Sequence, residues 1–446
     1  MPVKVETMPP LPGLSPVAGK AIIARFDGGQ ISSDAGVLVL REVEQRLGVA
    51  ECLAACIDDP RLPERVRHGV ADILRFRMLM IAAGYEDGND ADSLRHDPAF
   101  KLALDHLPDG DALCSQPTIS RLENLPGTRS LLCMAQAMVR LYCGSFRQVP
   151  RRIVLDVDDT FDAVHGEQQL RLFNAHHDEY GFQPIVVFDG EGRPVAAMLR
   201  PAKRPSGREA RAFLRRLVRA IRGHWPRVEI LIRADSHYCA PEVLDFCRAE
   251  GLDFMLGVAP TTTLRRHVEA LERSTAALRT GTGKRRRYKE FLEGAGSWSR
   301  VEQIIARVEA GPDGTDTRFV VTNLVNGAAR RLYERTYCQR GQAENHIKAW
   351  KRHLAADRTS CSRAAANQFR LMLHTGAYWL MWSLRRLMPK RSTWHVAQFD
   401  TLRLRLLKIA AQIVTLKTRV MLHLPSTCPY QSVLRLALGR MPRLIS

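Results

Sequence analysis

IVLDVDDTFDAVHG (153–166) runs three aliphatic residues straight into Asp156, with Asp158 and Asp159 close behind. A short apolar run of this kind reads as a buried strand. A core strand that ends in carboxylates needs something to offset their mutual repulsion. A bound cation would do so, and so would a tight turn rich in side-chain hydrogen bonds. Side chains alternate faces along a strand, so Val154, Asp156 and Asp158 share one face while Ile153, Leu155 and Val157 share the other. Asp158, Asp159 and Thr160 also have the composition of an Asx-type turn, and Asp159 is assigned to it.

The segments that follow give this strand its neighbours. QPIVVFD (183–189) and RPVAAMLR (193–200) read as strands joined by the hairpin turn GEG. SGREARAFLRRLVRAIRG (206–223) reads as a helix, VEILIRAD (228–235) as a strand, APEVLDFCRAEG (240–251) as a helix closed by Gly, and DFMLGVA (253–259) as a fifth strand. A hairpin meander followed by alternating helices and strands predicts an α/β fold, a mixed sheet with helices packed on it. The fourth strand also ends in an acid, Asp235, followed by Ser236 and His237. Carboxylates at the C-terminal ends of two strands of one sheet lie where open α/β sheets place their chemistry. His237 is a candidate supporting or phosphate-contacting group beside that acid.

With 446 residues the chain is too long for one compact core. Lys and Arg number 66 against 47 for Asp and Glu, a formal charge of +19 that favours a polyanionic partner, nucleic acid above all. A membrane is excluded as the partner: the longest apolar stretch, LMLHTGAYWLMWSL (371–384), is too short to span and contains His374. The opening MPVKVETMPPLPG lacks the apolar core of a signal peptide. Ten scattered cysteines form no CxxC pair or zinc spacing, which predicts a cytoplasmic chain free of disulfides.

The expected organisation is a Pro-rich arm over 1–20, a mainly helical DNA-binding and dimerisation domain over 21–148, and the first part of the α/β core over 149–260. A β-rich insertion is expected over 261–330, the rest of the core over 331–390, and a helical and strand region over 391–446.

The third informative stretch is YCQRGQAENHIKAWK (337–351). At 100° per residue Tyr337, Arg340, Glu344, Lys348 and Lys351 occupy one stripe of a helix, with Ala343, Ile347, Trp350 and Leu354 to one side. Tyr337, Arg340, Glu344 and Lys351 match the Y-x2-R-x3-E-x6-K signature, and with LDVDDT, ADSHY and RTSCSRAAANQFRLML (358–373) the chain resembles bacterial insertion-sequence transposases of the DDE type. The resemblance covers roughly residues 20–440. It implies an RNase H-like catalytic domain, with the first Asp on strand one, the second after strand four, and the Glu on the helix after strand five. A β-rich insertion precedes that helix in many relatives.

The resemblance also implies chemistry. Asp156, Asp235 and Glu344 would hold two Mg²⁺ (or Mn²⁺) ions for phosphodiester cleavage and strand transfer, which decides the opening question in favour of a cation. Asp158 shares the face of Asp156, so either or both could be ligands, with Asp156 at the position of the family's first Asp. Arg340 and Lys351 would grip phosphates and Tyr337 would position the strand, with Lys348 beside them. The implied partners are the terminal inverted repeats of a mobile element and its target DNA, bound by a homodimer.

Other basic surfaces read as phosphate contacts. Arg208, Arg211, Arg215, Arg219 and Arg222 form a stripe on one face of the 206–223 helix, and Lys284, Arg285, Arg286 and Arg287 form a patch in the insertion. SQPTISRLENL (115–125) presents Arg121 with Thr118, Ser120 and Asn124 on a short helix suited to a major groove.

Overall fold

The computed structural model describes residues 11–279 and 283–441. Residues 1–10 of the expected N-terminal arm lie outside this range. The chain divides into two compact units, one of residues 51–60 and 122–382, the other of residues up to 50, 61–121 and those from 383 onward.

The first of these units is built on strands β1 (Arg152–Asp159), β2 (Ile185–Asp189), β3 (Pro194–Met198), β4 (Glu229–Ala234) and β5 (Asp253–Val258). Their spatial order is β3-β2-β1-β4-β5. β2 runs antiparallel to β1, whereas β1, β4 and β5 are mutually parallel. This is the RNase H-like arrangement expected. Hairpin-linked β2 and β3 supply the antiparallel edge, and helical crossovers α1 (Gly207–His224) and α2 (Pro241–Ala249) supply the parallel connections.

The insertion contributes α3 (Thr262–Ala277) and strands β6 (Arg285–Glu293), β7 (Glu302–Gly311) and β8 (Gly314–Thr322). These strands extend the main sheet to eight, because β8 pairs with β5 from Phe319↔Val258 to Thr322↔Met255. Leu231, Met255, Ile305, Val320, Leu332 and Tyr333 form one buried cluster across the junction. The basic run of the insertion is itself a strand, β6.

Beyond β8 the chain winds as helix from Ala329 to His353, but the winding changes along it. Leu332–Tyr337 is π, Cys338–Arg340 is 3₁₀, Gly341–Lys348 (α4) is α, and Ala349–His353 is π again. The single 100° stripe read from the sequence therefore holds only within α4. A long helix, α5 (Ala364–Arg386), follows, and Trp350, Trp379 and Trp382 are all buried.

The other unit contains the helices Val37–Leu47 and Val70–Ala83 and a three-stranded sheet of Ile31–Ser32, Ala411–Thr415 and Val420–His423. The chain winds as helix from Phe399 to Leu407 and re-emerges as the strand Ala411–Thr415. Among the described residues no helix is long and apolar enough to cross a membrane.

One expectation is corrected. Cys56 and Cys133 are joined in a disulfide with Cα atoms 5.5 Å apart, so the chain is not free of disulfides. The two lie 77 residues apart in sequence, and no local spacing could signal their meeting.

α1 forms because its apolar positions Ala210, Leu214, Leu217, Val218 and Ile221 repeat at three- and four-residue spacing and are all buried. It starts at a capping box in which the Ser206 hydroxyl accepts from the Glu209 N–H and the Glu209 carboxylate accepts from the Ser206 N–H. Ser206→Ala is expected to lower stability by about 1 kcal/mol, read from the midpoint of urea denaturation with an unchanged slope.

Candidate active site

The parallel ladder between β1 and β4 sets the site. Asp156 lies opposite Arg233 and Val157 opposite Ala234, so one further step brings Asp158 beside Asp235. Asp156 and Asp158 share a face, and so do Arg233 and Asp235, because side chains alternate. The sheet thus stacks an acid–base pair directly beneath an acid–acid pair.

The lower pair is buried and complete. Arg233 donates from Nε to Asp156 Oδ1 at 2.6 Å and from Nη2 to Asp156 Oδ2 at 2.7 Å. Its Nη1 donates to the carbonyl of Thr336. Both carboxylate oxygens of Asp156 are therefore engaged at 2% exposure. Burial raises the pKa of Asp156, and Arg233 opposes that rise.

The upper pair is different. Asp158 accepts from Arg340 Nη1 at 2.8 Å and, through Oδ1, from the N–H of Asp159. Its pKa is pushed up to about 6, first by burial and further by the nearby Asp235, with Arg340 opposing. Asp235 accepts from the N–H of His237 at 2.9 Å. His237 Nδ1 lies 3.2 Å from Asp159 Oδ1 and 3.8 Å from Asp235 Oδ2. The bond to Asp159 raises the pKa of His237, with burial opposing. Ligand atoms of Asp159, Asp235 and His237 all lie within 4.8 Å of one another, a grouping able to hold a metal ion. Asp159 belongs to β1 and pairs with Ile185, so it is a strand residue rather than part of a turn.

α4 buries Ala343 and Ile347, and it contacts β2, the antiparallel neighbour of β1. Arg340, just before it, reaches Asp158. Lys351, just after it, donates to the carbonyl of Phe161 and pairs with Asp162 Oδ1 at 3.0 Å. Burial pushes the pKa of Asp162 up to about 7, with Lys351 opposing. Glu344 lies between these two anchors, exposed, and its carboxylate has no hydrogen-bond or ion-pair partner among the described residues. Lys348 is exposed one turn further on. The Tyr337 hydroxyl lies 3.4 Å from the carbonyl of Ala234. Gly257 on β5 permits this approach, since a Cβ there would stand 2.8 Å from that hydroxyl and 3.1 Å from the N–H of Ser236.

The remaining basic residues fall into two kinds. Arg208, Arg211, Arg215 and Arg219 are exposed on α1, whereas Arg222 donates to Glu250 at 3.0 Å. In the β6 patch, Lys284 and Arg286 both pair with Glu309, whose pKa they pull down to about 2, Arg286 most strongly. Arg287 donates to Ser274 at 2.8 Å, and Arg285 is exposed. Arg121 is exposed on the helix Gln116–Glu123 and bonds its own turn through Thr118. Sequence reasoning passed over Arg233. The signal was there: a lone Arg on the Asp156-like face of an otherwise apolar strand has to find a carboxylate.

An RNase H-like sheet that gathers carboxylates at two adjacent strand ends beside a Glu-bearing helix defines a DDE-type domain. The family model described as "Transposase DDE domain group 1" matches residues 14–446, and the chain belongs to that family. No curated protein matches the chain. Among solved structures it is similar to the cryo-EM structure of a piggyBac transposase synaptic complex with hairpin DNA. The identity is 9% and the TM-score 0.37, over 84% of this chain and 86% of that one.

The raised pKa of Asp158 has a measurable sign. Its folded value of about 6 exceeds the unfolded 3.8, so the folded state binds more protons and loses stability as pH rises between the two. Asp158→Asn removes that loss. In the absence of divalent ions the variant is expected to exceed wild type by up to about 3 kcal/mol above pH ~6, and to match it more closely near pH ~4. Thermal denaturation of both proteins across this range checks it.

Proposed function

We propose that the chain is the transposase of an insertion sequence, cutting phosphodiesters at the element ends and joining them to target DNA with divalent metal ions. The observation that carries this reading is the register of β1 and β4, which sets Asp158 beside Asp235 while α4 presents an unpartnered Glu344 between two anchors on the same strand end.

The donor set fits hard divalent cations. It consists of carboxylates with one imidazole at its edge, and it includes no thiolate. Asp158, Asp235 and Glu344 would hold the ions, with Asp159 and His237 bordering them. Of the two acids left open on β1, Asp158 suits the ligand role better, because the register sets it beside Asp235, whereas Asp156 is 2% exposed and held bidentately by Arg233. Bound there, Mg²⁺ or Mn²⁺ would supply Lewis-acid stabilisation of the phosphoryl oxygens and lower the pKa of the attacking hydroxyl group.

The chain's own residues do the positioning. Arg340 carries a guanidinium to the edge of the acids, where it can bind a non-bridging phosphate oxygen. Lys348 adds an exposed ammonium one turn beyond Glu344. Tyr337 fixes the wall between β4 and β5. Lys351, tied to Asp162 and Phe161, holds the helix rather than the DNA. Terminal inverted repeats and target DNA would be the substrates, bound by two copies of the chain so that both ends are cut together.

A cleavage and strand-transfer assay on the flanking DNA ends with Mg²⁺ tests this. Wild type should nick and join. Glu344→Gln, Asp235→Asn and Asp158→Asn should each lose activity by about a hundredfold or more. Cleavage without joining would point instead to a stand-alone nuclease. Tight binding of the ends without cleavage, even with Mn²⁺, would leave a DNA-binding regulator.

A further inference from the structure

α1 carries a row of arginines that the acid site does not use. At 100° per residue Arg208, Arg211, Arg215 and Arg219 fall within about 80° of one another, opposite the buried Ala210, Leu217 and Ile221. All four are exposed, and none has an acidic partner among the described residues. Only Arg222, at the end of the row, is neutralised, by Glu250. Four like charges over a rise of about 16 Å repel one another. A sequence that needed only a solvated face would gain by interspersing acids, and the one Glu of this helix is committed to the capping box and to Arg200.

The row has a defined origin. Arg204, just before α1, donates from Nη2 to the carbonyl of Ser236 at 2.7 Å and lies 3.4 Å from that of His237. These carbonyls belong to the loop that carries Asp235. The arginine row therefore starts beside the acids and leads away from them along one helix face.

We infer that this face is a rail for the sugar–phosphate backbone of duplex DNA next to the phosphodiester being cut. The inference rests on the transposase reading and assigns it a partner surface. Charge complementarity selects the occupant: four unpaired guanidiniums along a rod meet a duplex bearing one negative charge per about 1.7 Å of axis. The regular spacing of the guanidiniums along one helix face and the absence of aromatic residues from the row suit a contact with successive phosphates, which tolerates any sequence. The register of the DNA is set by the row's origin at Arg204, which fixes where the duplex enters.

The test is binding of the full-length protein to a random-sequence duplex, by fluorescence anisotropy in EDTA across about 50 to 200 mM salt. Each phosphate contact contributes about 0.9 to the slope of log K against log salt, so Arg211→Gln, Arg215→Gln and Arg219→Gln together should flatten it by about 2.7. The triple Lys variant should restore most of the slope, which a packing role for the guanidinium planes would not. Should the triple Gln variant lose its cooperative melt, Arg215→Gln alone reads the same quantity, at about 0.9.

An unchanged slope in a folded variant overturns the rail. An unchanged slope with an altered sedimentation coefficient of the protein alone also overturns it, and makes the face a contact between copies of the chain. No divalent ion is present, so the slope is independent of the chemistry at the acids. Wild type that binds with the full slope and never nicks would sink the catalytic reading and leave the rail standing.

Discussion

The ion pair between Asp156 and Arg233 sits at the centre of the sheet, and three elements are referred to it. It joins β1 to β4 side chain to side chain, and through the Thr336 carbonyl it also holds the segment that leads into α4. Both partners are nearly inaccessible, so their desolvation is offset only by near-ideal bidentate geometry. Removing either one would leave a buried charge without a partner, at a cost of about 3–5 kcal/mol. The pair therefore ties the two acid-bearing strands and the segment that leads into the Glu-bearing helix together at one point. One step further along the same ladder the arginine is replaced by a second carboxylate, giving the pair proposed to hold the metal ions.

Much of this was legible in the sequence, for local reasons. The strands around 153–158, 185–189 and 229–234 are runs of branched apolar residues bounded by turn formers, and α1 carries its own period and cap. The two strand-end acids stood out because carboxylates are costly beside apolar runs, and Tyr337, Arg340 and Glu344 because their spacing matches a family signature. Alternation placed Asp156 and Asp158 on one face, but alternation alone could not say which of them would meet an arginine. That required the partner strand.

What the sequence hid was long-range. Asp159 looked like a turn residue, since the Asp-Asp-Thr composition fits one, yet the pairing of β1 with β2 carries the strand through it. The insertion looked separable because its strands are bounded by a basic run and glycines. It merges with the main sheet because Phe319–Thr322 pair with Met255–Val258. Half of the β6 basic patch is quenched by Glu309, a residue on the neighbouring strand. The Cys56–Cys133 bond and the changes of winding around α4 likewise depend on tertiary context rather than on any local pattern.

The register of β1 and β4 has an evolutionary corollary. Asp158 and Asp235 meet because backbone hydrogen bonds hold two strands in step, not because the intervening polypeptide spans a particular distance. The small sheet of Asp162–Ala163, Leu172–Asn174 and Glu179–Phe182, the β2–β3 hairpin and α1 all lie between the two acids in sequence. Their lengths are uncoupled from the separation of the carboxylates. Lineages can lengthen, shorten or recharge those segments while the two carboxylates stay together. A single-residue deletion inside either strand has the opposite outcome, since it turns every side chain beyond it to the other face.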